Sequence, residues 1–166
     1  MDTLQEKHER AVGDAFVDWY NRRKGTSFEY YARGADPPDL VYRNGTEELP
    51  LEITAAYYDD GHATMLWQDA RDSPDAPDSW KSKSPDEKLI TSVNLALGKK
   101  SGKTYPSGCV LVVAIYPELT AADEFAALLP EINVPVGHPF AAIYIGGLFP
   151  ETKWSVGGYS WWRLSP

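Results

Sequence analysis

The sequence predicts an α/β fold (α+β in its mixed sheet), a single layer of strands with helices packed against it. Three observations carry that prediction. A stripe of apolar residues at helical spacing opens the chain. An Asn-Gly pair between two alternating runs marks an early antiparallel hairpin. Two nearly continuous apolar runs, CVLVVAIY at 109–116 and FAAIYI at 140–145, have the composition of strands covered on both faces.

Taken in order, residues Thr3 to Arg23 form the opening helix, with Leu4, His8, Ala11, Val12, Ala15, Phe16, Trp19 and Tyr20 along one stripe. Arg22, Arg23 and Lys24 suit the negative end of its dipole, and Gly25 ends it. Glu9 lies at the stripe's edge, about 80° from its centre at 100° per residue. That position suits a solvated flank residue or one facing a site beside the helix. Phe28 to Arg33 reads as a first strand, followed by a turn at Gly34-Ala35-Asp36-Pro37-Pro38. The hairpin comes next, its second strand ending near Tyr58. Residues 59–84 are a long acidic loop or lid, too long for a routine connection. Its His62 reads as a surface histidine. Ser84-Pro85-Asp86-Glu87 has the form of a capping box with proline at the first helical position. The helix that follows buries Leu89, Ile90, Val93, Ala96 and Leu97, and Lys100 falls on that same stripe while Lys88 and Lys99 do not. Thr120 is placed to cap a short helix, AADEFAALL. The tail, WSVGGYSWWRLSP, reads as a terminal strand or hairpin, whose Trp154, Trp161 and Trp162 suit either core packing or a base-stacking platform.

With 166 residues, 43% of them hydrophobic and 13% aromatic, residues 1–166 form a single domain able to bury a core. No run approaches the ~20 apolar residues of a membrane span, and the charged MDTLQEKHER start lacks a secretory apolar segment. Cys109 is the only cysteine, which excludes an intramolecular disulfide and a cysteine-based metal site. A reducing cytoplasm is the expected compartment. The net charge of −8 is uneven: Asp59 to Glu87 holds eight acidic and three basic residues. Any nucleic-acid partner therefore requires a local basic surface. The lysine-rich GKKSGK at 98–103 lacks phosphate-loop spacing and follows a helix, and neither a zinc-protease helix motif nor a nucleophile elbow occurs.

The chemistry concentrates in PPDLVYRNGTEELPLEIT, residues 37–54. With Asn44-Gly45 as a two-residue type I′ loop, Arg43 faces Thr46 and Asp39 lies opposite Pro50. Period-two alternation then puts Asp39, Pro50, Glu52 and Thr54 on one face. Diagonal neighbours across a ladder stand roughly 7–8 Å apart. Asp39 and Glu52 can share one divalent cation, and two carboxylates aimed at one point among apolar residues call for positive charge between them.

A helix carrying Glu9, Pro38-Asp39 opening a strand and Glu52-Ile53-Thr54 on the next, then a helix and a buried strand, resemble the PD-(D/E)xK superfamily. These are metal-dependent nucleases of the restriction-endonuclease-like fold, and the resemblance covers roughly residues 3 to 117. It implies an α-β-β-β-α-β core, and a metal site of Asp39, Glu52 and Glu9 holding Mg²⁺, with Mn²⁺ as a substitute. It also implies a nucleic-acid substrate, DNA before RNA, and a homodimer as a means of cutting two strands. Thr54 departs from the pattern, since the family has a lysine there that orients the attacking water and stabilises charge on the phosphate. Some members supply that lysine from the following helix, and Lys100 is the residue placed to do so. Thr54 would then hydrogen-bond a water or Glu52. The expected activity is hydrolysis of phosphodiester bonds, as an endonuclease or exonuclease. The alternatives are a catalytically inactive nuclease-fold domain that binds a partner protein, and an unrelated acidic regulatory module that mimics nucleic-acid charge.

Overall fold

The computed structural model describes residues 2–58, 63–67, 85–151 and 157–165. Ser84, His62 and Trp154, and with them the expected cap and most of the acidic loop, lie outside these residues. The elements are α1 (Leu4–Lys24), β1 (Glu29–Arg33), β2 (Leu40–Asn44), β3 (Glu47–Ala56), α2 (residues 63–67), α3 (Pro85–Ser101), β4 (Val110–Ile115), α4 (Ala122–Leu128), a 3-10 turn (Leu129–Glu131), β5 (Ala142–Phe149) and β6 (Gly158–Ser165). The six strands form one mixed sheet in sequence order, parallel at β3-β4-β5 and antiparallel at the other three ladders. No helix among the described residues is long and apolar enough to cross a membrane.

Alternation along the central strands divides the core in two. On one face α1 packs Val12, Phe16 and Val17 against Leu40, Leu51, Ile53, Val110 and Val112. On the other, α3 packs Leu89, Val93 and Leu97 against Leu111, Val113, Ile143 and Ile145. All six residues of β4 are buried, as its unbroken apolar run requires. Helix α1 begins with a Thr3–Glu6 capping box and ends at Gly25 in the left-handed conformation, at φ 66°.

Three local expectations are corrected. The hairpin loop is Gly45-Thr46, not Asn44-Gly45: Asn44 pairs with Glu47, Arg43 with Glu48, and Val41 with Pro50. Only Gly45 has positive φ, at 62°, which is the type II′ pattern with glycine first. Thr120 does not cap α4. Its hydroxyl donates to Asp86 and bonds Tyr58, and the Glu124 carboxylate accepts from the Ala121 N–H instead. Trp161 and Trp162 form no common platform, because alternation sends Trp161 onto Phe16 and Trp162 onto Phe125 and Phe149.

Candidate functional site

Strand β3 outruns its neighbour. It pairs with β2 over residues 47–51 and with β4 over residues 51–56, so beyond Leu51 its β2-side edge has no strand partner. One residue past the Leu40–Leu51 pair, the chain of β2 delivers Asp39 opposite Glu52. The register differs from the expected one by two residues, and a shift of two leaves every side chain on its original face. Asp39 therefore still stands beside Glu52. Its position is fixed from behind by the β1–β2 turn, where the Gly34 N–H donates to the Asp39 carbonyl at 2.9 Å. A Cβ on Gly34 would meet the Pro38 carbonyl oxygen at 1.8 Å, so only glycine lets the turn close this tightly.

Asp39 uses Oδ2 to accept the Ile53 N–H at 2.8 Å, filling the place a β2 carbonyl would have taken on the open edge. In an extended strand the Ile53 carbonyl faces the same side. Burial pushes the Asp39 carboxyl up to about 6. The Ile53 N–H opposes that shift, the carboxylates of Glu52 and Glu9 add to it, and Lys100 opposes it.

Glu52 is 3% exposed and points to the α3 side. Its Oε1 accepts from Lys100 Nζ at 2.6 Å, and its Oε2 is buried with no hydrogen-bond partner among the described residues. Lys100 is thus on the inward stripe, as its spacing predicts. Glu9 is buried, not a solvated flank residue. It arrives from α1 on the opposite face, with Oε2 accepting from Arg33 at 2.7 Å and Oε1 from Gln5 at 2.9 Å. Because β2 is missing at this level, groups from both faces of the sheet meet around one edge.

Beside that edge a cleft of about 370 Å³ opens between α1 and α3, lined by Glu9, Thr54, Lys99, Lys100 and Lys103 among others. Asp39 and Glu52 do not line it; Lys100 joins the buried Glu52 to it. Behind Glu52 the loop into β4 contributes Tyr105 and Cys109. Burial, with the Glu52 and Asp39 carboxylates adding, pushes both the Tyr105 phenol and the Cys109 thiol up to about 12. Tyr105 Oη and Ser101 Oγ are also buried without a hydrogen-bond partner among the described residues. Arg33, Tyr105 and Cys109 were not singled out as site residues from sequence. Arg33 is 24 residues from Glu9, Tyr105 is placed by a loop whose path no pattern encodes, and Cys109 directly precedes β4 at the head of the apolar run.

The donor set fits a hard cation. Asp39, Glu52 and Glu9 are oxygen donors, one carboxylate oxygen is buried without a hydrogen-bond partner among the described residues, and burial, with the Glu52 and Glu9 carboxylates adding, holds Asp39 above its usual range. Among the described residues no three such side chains already stand at coordinating positions. Compared with known protein families, with curated proteins and with solved structures, the chain matches none.

Proposed function

We propose that the protein is a metal-dependent nuclease of the restriction-endonuclease-like kind, with its site at the open edge of β3. The observation that carries the reading is the meeting of Asp39, Glu52 and Lys100 there, with Glu9 arriving from α1 and Thr54 on the cleft wall. Asp39 and Glu52, assisted by Glu9 and the Ile53 carbonyl, would hold Mg²⁺, or Mn²⁺ in its place. Such a cation supplies Lewis acidity toward the scissile phosphate and a bound water of lowered pKa.

The chain's own groups do the rest. Lys100 Nζ has three donors and gives one to Glu52, leaving two for the phosphoryl oxygens as negative charge builds on them. It takes the part of the lysine that Thr54 replaces, reaching the site from the next helix. The Thr54 hydroxyl, on the cleft wall, orients water. Lys99 and Lys103 flank the cleft as phosphate contacts on a protein whose overall charge of −8 otherwise repels nucleic acid. Hydrolysis adds water across one P–O bond: the water oxygen joins phosphorus, the bridging oxygen departs, and that leaving oxygen takes up a proton.

The test is nicking of supercoiled plasmid and degradation of single strands in Mg²⁺ and Mn²⁺. Asp39→Ala and Glu52→Ala should abolish both, while the wild type should gain melting temperature on metal addition. Cleavage that survives both substitutions removes the assignment. A wild type inert toward every substrate, with no metal-induced stabilisation, supports the alternative of an inactive nuclease-fold domain acting through a partner protein.

A further inference from the structure

We infer that an aromatic pocket beside the cleft receives a single nucleobase, so that the strand acted on is unpaired at the site; the substrate assignment rests on the nuclease reading above. Four rings from four elements gather where the parallel strands β3 and β4 end: His8 of α1, Tyr57, Trp67 of α2 and Tyr116. Tyr57 and Tyr116 are parallel within 5° at 5.3 Å between centroids. His8 meets the edge of Trp67 at 5.5 Å and tilts against Tyr116 at 5.7 Å. None of the four belongs to either hydrophobic core, and each is only half buried. Rings of this size normally repay their exposure by covering core residues. These instead enclose, with Leu66, a separate cavity of about 170 Å³. That space suits one planar ring system and not a base pair.

The pocket adjoins the carboxylate and lysine cleft, since His8 and Trp67 line both. A chain that places a phosphate against Lys100 therefore has a neighbouring base within reach of the rings. The His8 ring nitrogens lie within hydrogen-bond distance of the Tyr116 hydroxyl, which ties these two rings together at the pocket wall. Lys99, in the last turn of α3, and Lys103, two residues past its end, both line the cleft, are exposed, and form no ion pair among the described residues. A polyanion with flat apolar units along it matches this alternation of cations and rings. A base inside a duplex has both faces stacked and its edge paired, so it must leave the helix to enter. An unpaired strand bears no such cost, and stacking on aromatic rings tolerates any base.

The experiment measures binding in EDTA, where no cleavage occurs, by anisotropy of a labelled single strand, the same sequence as duplex, and the same strand with abasic positions. The wild type should bind the single strand more tightly than the duplex, and abasic substitution should weaken binding about 5- to 150-fold at unchanged phosphate charge. Trp67→Ala and Tyr57→Ala should weaken single-strand binding to a similar extent, with Tyr57→Phe restoring it. Equal affinity for single strand and duplex, or indifference to the abasic strand, overturns the proposal without any variant having to fold. Failure to bind any oligonucleotide, with a protein ligand captured through the same rings, overturns it too. The two readings fail separately. Ring-dependent binding without Asp39-dependent cleavage removes the nuclease and keeps the pocket. Asp39-dependent cleavage with duplex preferred removes the pocket and keeps the nuclease.

Discussion

Residues 47–51 and residues 52–56 of β3 share one backbone and one direction, yet they do different work. Along the first half β2 fills one edge, and the inward side chains Leu49 and Leu51 are ordinary core. Along the second half that edge is open, and the same alternation delivers Glu52 and Thr54 to the α3 side while Asp39 takes the exposed Ile53 N–H. Ending one strand early leaves an edge at which buried carboxylates from neighbouring chain segments stand side by side. The neighbouring positions Leu51 and Glu52, exposed 0% and 3%, show that burial alone does not distinguish the two kinds. Partner type does.

The largest expected effects come from that adjacent pair. Leu51→Ala leaves a cavity and should cost about 2–5 kcal/mol of stability. Cleavage per folded molecule should survive, because no group at the open edge is lost. Glu52→Ala strands the Lys100 ammonium in a site where its side chain is 18% exposed, at a cost of about 3–5 kcal/mol, and should remove cleavage entirely. Adding Lys100→Met to Glu52→Ala should recover much of the stability and none of the activity. Urea melts and plasmid nicking on the same preparations separate the outcomes. The contrast collapses if Leu51→Ala, at matched folded fraction, is as inactive as Glu52→Ala.

A second effect follows from Asp39, which the open edge draws into a buried carboxylate cluster. Its folded-state pKa of about 6 lies above the ordinary value of 3.8. A group shifted in this direction binds its proton more tightly when folded. Its contribution to stability is therefore complete below pH ~4 and is lost as pH rises through ~6, by about 3 kcal/mol in all. Asp39→Asn keeps an oxygen for the Ile53 N–H and removes the ionisation. The variant should melt above the wild type at pH 7, with the gap closing toward pH 4, while losing metal-induced stabilisation and cleavage. Melting curves for the two proteins that run parallel from pH 4 to 8 would sink this account.

The elements that follow from a local pattern were legible. The α1 stripe, the unbroken apolar run of β4 and the inward position of Lys100 are each set by residues within one turn or one strand. The meeting of Asp39 with Glu52 was legible for a weaker reason, since a hairpin read two residues out of register still keeps its faces. The open edge was not legible, because it depends on where β2 stops relative to β4, which lies some seventy residues further on. The Arg33–Glu9 pair and the four rings at 8, 57, 67 and 116 come from separate elements. Only the assembled sheet brings them together.

The smallest effect sits at the far end of the zipped half and tests the register itself. Gly45 has φ 62° and open space where a Cβ would be, so Gly45→Ala meets no neighbour and costs only the backbone conformation, about 1–2 kcal/mol. Asn44 has no positive φ and pairs with Glu47 inside the ladder, so Asn44→Ala should change stability by less than about 0.5 kcal/mol. A type I′ loop at Asn44-Gly45 would make both positions sensitive, because both would need the left-handed region. Thermal melts of the two variants therefore read the loop directly. Cleavage should be unchanged in both, since the turn lies at the opposite end of β2 from Asp39 and only the zipped half of β3 is touched.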